Sequence, residues 1–198
     1  MPILRARDII PAMEIRPVRP PDLDRLIDID GTIESSDYLH VERSGEGFTG
    51  GWKIEQRALR EKRMDRNAPT DETLFLLRQI VNGADEGFAL LANHDGINLA
   101  LLVAKLEPDF RTLHVLDLRV DFEQRRQGLG SAMLFQTIAH AREQELRAVA
   151  TETRTDNFPA AQFLTKSGFE LAGLDSRRLT NHDLVKEAVT LFWYASFD

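Results

Sequence analysis

The feature that most constrains this chain is an abrupt hand-over at residues 118–130. A strand-like run ending in Leu118-Arg119-Val120 enters a basic turn, Arg125-Arg126-Gln127-Gly128-Leu129-Gly130. An amphipathic helix starts inside that turn and carries Leu129, Met133, Leu134, Ile138, Ala141 and Leu146. The first N–H groups of a helix have no intrahelical partner and point outward. With the helix dipole they form an anion site. Glycines let a diphosphate approach the backbone without a Cβ in the way, and Arg125 and Arg126 add positive charge. The plain alternative is a surface turn with a solvated arginine pair. No Gly-Lys-Ser/Thr follows, so this is not a P-loop, and the three glycines of a dinucleotide fold are missing.

The flanking sequence fits a mixed α/β chain. Residues 15–18 read as a short strand, and 22–29 as a helix with Leu23, Leu26 and Ile27 on one face. A glycine loop spans 44–51. A charged helix is expected over 54–65 with a weak apolar face of Ile54, Ala58 and Leu59. A second helix begins at the N-cap Thr70, presents Leu74, Leu77 and Val81, and ends at Gly83. Strands 88–92 and 97–104 flank His94-Asp95-Gly96, a hairpin signal, and 112–120 completes an antiparallel meander. After the long helix come a strand at 148–153, a short helix at 159–166 capped by Gly168, and strands near 169–174 and 188–195. No internal repeat is present. Residues 1–13 read as a flexible leader, with Met13 an alternative start, and 14–198 as one domain with a helical insertion around 52–83.

Composition narrows the function. The net charge of -7 gives no attraction to a phosphate backbone, so nucleic acid is not an expected partner. The chain has no cysteine, which excludes disulfides, thiolate metal sites and a cysteine nucleophile, and no metal is expected. No stretch approaches the roughly 20 apolar residues of a membrane span, and the start lacks the apolar run of a signal peptide. A cytoplasmic location with no membrane partner is expected.

The motif Arg125-x-x-Gly128-x-Gly130 resembles the Arg/Gln-x-x-Gly-x-Gly/Ala signature of the GNAT acetyltransferases. Downstream, Asn157-x-x-Ala160-x-x-Phe163-Leu164-x-Lys166-x-Gly168-Phe169 resembles the family's second block, and the likeness covers roughly residues 97–195. The tail, with Gly173-x-Asp175 and the run from Ala188 to Tyr194, is similar to streptothricin-type antibiotic acetyltransferases. A substrate cannot be carried over from that. The resemblance implies an α+β GNAT fold: a mixed, mostly antiparallel sheet flanked by helices and splayed after Val120 at an acetyl-CoA site. It implies that backbone groups of Leu118 and Val120 pair with the pantetheine arm. The N–H groups around Arg126, Gln127, Gly128, Leu129, Gly130 and Ser131 would hold the pyrophosphate, with Arg125 beside them. Asn157 would contact the pantetheine; it also reads as a helix N-cap before Pro159, and both can hold.

The implied reaction is direct attack of an amine on the thioester. With an amine pKa of about 10.4, less than about 0.1% is neutral at pH 7, so a proton must be removed. Strict alternation puts His114, Leu116, Leu118 and Val120 on one face. His114 stands six residues before Val120, where several GNAT families hold a Glu or His base. It is the expected catalytic base, with Glu152 second; ordinary strand and salt-bridge roles stand beside both. Asp117 falls on the opposite face and reads as structural. Val120 N–H is the expected oxyanion donor. The departure from the family is Leu164, where many relatives place a Tyr acid. The expected acceptor is a small-molecule amine, because residues 45–83 could wall a pocket. A protein lysine or N-terminal amine, or a non-catalytic acyl-CoA sensor, are the alternatives. Oligomeric state is not legible, although dimers among relatives leave a homodimer open.

Overall fold

The Asp95-Gly96 pair sits in the left-handed region (φ 51 and 80), as a tight hairpin turn requires. It joins β4 (Gly87–His94) to β5 (Ile97–Glu107), which runs back antiparallel to β6 (Thr112–Val120). The computed structural model describes residues 13–197. The expected leader therefore lies, apart from Met13, outside the described residues. With β1 (Glu14–Pro17), β7 (Ala148–Arg154), β8 (Glu170–Asp175) and β9 (Thr190–Ser196), these strands form a seven-stranded sheet in the order β1-β4-β5-β6-β7-β9-β8. Among the described residues only the β6–β7 pair is parallel.

Alternation along β5 builds the two sides of the core. Ala100, Leu102 and Ala104 join Leu113, Val115 and the apolar faces of α2 (Leu129–Glu143) and α3 (Phe158–Lys166). Leu101 and Val103 face the other way, against Leu26, Ile29 and Leu77 of a 3-10 helix, Pro20–Asp28, with its exit and of α1 (Asp71–Val81). Each such leucine, nearly fully buried, contributes about 1.5–3 kcal/mol by leaving water. Thr70 caps α1 by accepting the Thr73 N–H at 3.1 Å. No helix among the described residues is long and apolar enough to cross a membrane.

The helix expected over 54–65 is a strand. β3 (Gly51–Asp65) pairs antiparallel with β2 (Ile33–Ser44) in a separate two-stranded ribbon. The charged residues there favour a helix locally, but tertiary pairing overrides propensity. Ile54 lies opposite Val41, and Ile54 and Leu39 both pack on the main core. Lys62 reaches across to Glu34 at 2.7 Å. The ribbon is tied to the sheet by Leu39 N–H, which donates to Thr155 O at 2.9 Å.

The second correction concerns register within β6. Val103 lies opposite Asp117 and Ala104 opposite Val115, so Leu116 is an extra residue, a β-bulge. Before it, Leu113 and Val115 belong to the main core. After it, Leu118 and Val120 pack on that same core, while Leu116 packs on the other. His114 therefore does not share a face with Leu118 and Val120.

Candidate active site

The site begins where β6 and β7 stop pairing. Their register runs from Thr112↔Ala148 to Val115↔Thr151 and goes no further. The sheet was expected to part after Val120; it parts after Val115, inside the strand. Thr151 Oγ1 donates to Val115 O at 3.0 Å at the parting. Beyond it the strands enclose a cleft of about 920 Å³, lined by residues from Val115 to Val120, the start of α2, the end of β7 and the N-terminal part of α3.

Backbone groups face this cleft. Asp121 N–H bonds to Leu99 O at 2.8 Å. In an antiparallel ladder, residues alternate between bonding to the partner strand and pointing away. By that alternation the N–H and C=O of Leu118 and Val120 point away from β5, into the gap that β7 has vacated. The Val120 carbonyl accepts from Arg125 Nε at 3.1 Å. That leaves the Val120 N–H free for an incoming group. Arg125 is thus a brace for the turn, stacked on Phe122 at 5.2 Å. Burial pushes its pKa down, against the pull of Asp30 and Asp121.

The turn then enters α2. Arg126 and Gly128 both have positive φ, 64 and 86, and Gly128 is the N-cap with no side-chain cap of its own. The first helical bond is from Ala132 N–H to Gly128 O, so the N–H groups of Leu129, Gly130 and Ser131 have no intrahelical acceptor. A Cβ built on Gly128 would meet nothing within 4 Å; the space above this cap is open. Leu129 is buried and anchors the helix. Arg126 and Gln127 are exposed, with Gln127 donating to Gln124 Oε1 at 3.3 Å.

Asn157 caps α3, its Oδ1 accepting the Ala160 N–H at 3.3 Å, and it also lines the cleft. Glu152 lines the cleft too, held by Arg178 at 3.1 Å. Leu164 is buried, and no tyrosine lines the cleft among the described residues. Tyr38 lies edge-on to His40, and Tyr194 lies under Arg147. His114 is not among the lining residues; its Nδ1 faces Glu107 Oε1 at 3.5 Å.

Asp117 stands, as alternation placed it, on the face opposite Leu118 and Val120, and it lines the cleft with a side chain 11% exposed. Arg119, almost wholly buried, donates from Nε to Asp117 Oδ2 at 2.6 Å and from Nη1 to Asn67 O at 3.3 Å. Burial raises the Asp117 pKa above the usual aspartate value, opposed by the Arg119 hydrogen bond and charge. A bulge leaves no local composition signal at Leu116, so only the pairing with β5 exposes it. On the far wall, Asp156 Oδ1 accepts from Arg154 Nε at 2.9 Å, and its Oδ2 binds both Arg154 and Arg63, the latter at 2.9 Å.

Comparison with known proteins identifies the family and the fold. The sequence model of the acetyltransferase (GNAT) family matches residues 52–169. Streptothricin acetyltransferase A of Bacillus subtilis (strain 168) is 30% identical over 81 residues, 41% of this chain and 46% of that protein. The chain thus spans about half the length of that relative. A protein assigned as a streptothricin acetyltransferase of Bacillus anthracis str. Ames, solved with acetyl coenzyme A, superposes with a TM-score of 0.76 at 19% identity, covering 96% of this chain and 99% of the other. Nourseothricin acetyltransferase superposes at 0.75 and 21% identity, covering 93% and 98%. At these identities the two structures show a shared fold.

Proposed function

The chain belongs to the GNAT family of acetyltransferases, and from that premise we propose that it moves the acetyl group of acetyl-CoA to a primary amine of a small molecule. The observation that carries this reading is the splay after Val115, which turns the backbone of Leu118 and Val120 into an unfilled strand edge beside a free helix N-terminus. Acetyl-CoA is the substrate whose shape matches both parts: an extended amide-bearing arm for the edge and a diphosphate for the cap. The Cβ-free space above Gly128 fits the same group.

The chain's own groups then do the following. Leu118 and Val120 hold the arm as an added strand. The Val120 N–H stands where a carbonyl oxygen would gain charge during attack. The N–H groups of Leu129, Gly130 and Ser131 hold the diphosphate, helped by Arg126. With Leu164 in place of a tyrosine, the departing thiolate takes its proton from the amine or from water; with a thiol pKa near 8.5 it needs no stronger acid.

A small acceptor is favoured over a protein chain because Ile33, Ser35, Arg63 and Asp65 of the β2–β3 ribbon wall one side of the cleft. The ribbon is fixed there by the Leu39–Thr155 hydrogen bond and the Arg63–Asp156 ion pair. The name of the B. subtilis relative supports the same acceptor class. The test is thiol release from acetyl-CoA against a panel of small amines and of peptides with free N-termini or lysines. Saturable release with a small amine is expected. Release only with peptides contradicts the acceptor assignment, and binding of acetyl-CoA without any release contradicts catalysis.

A further inference from the structure

We infer that Asp117 is the group that takes the proton from the acceptor amine, directly or through one water, and that Arg119 positions it; this rests on the acetyl transfer proposed above. Of the cleft carboxylates, Asp117 combines burial with an unengaged oxygen. Its Oδ2 is fixed by Arg119, while Oδ1 has no hydrogen-bond partner among the described residues. Asp156 is as buried, but both its oxygens are held by Arg154 and Arg63. Glu152 is more open and faces Arg178. Asp65 is about half exposed and sits 3.8 Å from Arg63. The other charged groups lining the cleft are Arg125 and Arg126 of the turn before α2 and Lys166 of α3.

The side chain is placed by three features. After the bulge at Leu116, Asp117 lies on the face opposite Leu118 and Val120 and lines the cleft. Arg119 is locked between Asp117 and Asn67 O. Gly31 makes room for that arginine: a Cβ there would lie 3.2 Å from Arg119 Nη1 and 3.1 Å from Asn67 O. A carboxylate whose charged form is disfavoured by burial is a stronger base than an exposed one.

The step balances as follows. The acceptor arrives as an ammonium and gives one proton to Asp117. Its nitrogen lone pair then forms the C–N bond to the thioester carbonyl. The C–S bond breaks, the thiolate takes a second proton from the nitrogen, and Asp117 returns its proton to water. The products are an amide, a free thiol and one proton.

The experiment measures kcat/KM against pH for the parent and for Asp117→Asn, with an acceptor amine found by thiol release. Acetyl-CoA affinity by calorimetry and thermal melting accompany it. The Asn variant is expected to lose about 10²–10⁴-fold at neutral pH. Its rate should then climb in proportion to the neutral amine, up to the amine's own pKa. Acetyl-CoA affinity should stay within about twofold, a result that general damage to the cleft does not produce. A folded Asn variant that keeps the parent's pH profile and rate overturns the assignment. Should that variant not fold, the test moves to the parent protein, with the Asp117 carboxyl followed by carbon NMR. Its titration is expected to coincide with the acid limb of kcat/KM, and a separation of more than about one pH unit overturns the assignment. Absence of turnover in the parent contradicts acetyl transfer itself; turnover with an unchanged variant contradicts only the role of Asp117.

Discussion

The Thr151 hydroxyl donates to the carbonyl of Val115 at 3.0 Å, at the last register pair before β6 and β7 separate. The hydrogen bond closes the vertex of the slot with a side chain where a ladder would otherwise continue. Thr151→Val keeps the shape and removes the donor. It should cost about 1 kcal/mol of stability and weaken acetyl-CoA binding by loosening the vertex. Denaturant unfolding and calorimetry check the two effects; an unchanged unfolding midpoint contradicts the role given to this bond.

Gly128 holds a positive φ of 86 at the N-cap of α2, with open space where its Cβ would be. Gly128→Val should cost about 1–2 kcal/mol for the left-handed backbone. It should also weaken acetyl-CoA binding by about tenfold or more, equivalent to about 1.4 kcal/mol. Calorimetry on the folded variant decides this, and parent-like affinity contradicts the diphosphate site.

His114 faces Glu107 and lies outside the cleft lining. His114→Gln is therefore expected to keep kcat within about twofold, whereas loss of a true base costs about 10²–10⁴-fold. A fall of that size with an intact acetyl-CoA affinity returns the proton path to His114.

Asp117 also carries a stability prediction. Its folded pKa is raised by burial above the ordinary value of 3.8. Over the pH range above that value the folded state holds the proton more tightly than the unfolded one. The stabilisation is complete below the unfolded pKa and is lost as pH rises through the folded pKa. Chemical unfolding of the parent and Asp117→Asn should therefore show the parent losing ground relative to the variant as pH rises above the ordinary value of 3.8. A pH-independent difference contradicts the raised pKa.

Much of the active architecture was legible because it is local. The Asp95-Gly96 turn, the Thr70 cap and the hand-over from β6 to α2 each depend on a few adjacent residues with specific backbone demands. What escaped depends on distant partners. Residues 54–65 have the charges of a solvated helix and become β3 only through pairing with β2. The bulge at Leu116 has no glycine to mark it, yet one extra residue takes His114 off the face of Leu118 and Val120. Alternation holds for Leu118 and Val120 because both lie after the bulge, in the regular register with β5.

On the proposed function, the arm and diphosphate of acetyl-CoA occupy the slot between β6 and β7 and the cap of α2. Amide hydrogen exchange with and without acetyl-CoA tests it residue by residue. Slowed exchange is expected at Val120 and at Leu129, Gly130 and Ser131, whose N–H groups lack a backbone acceptor in their own element. Protection confined to another region, such as the recess beside Arg111, Arg142 and Arg147, with those four amides unchanged, would contradict it.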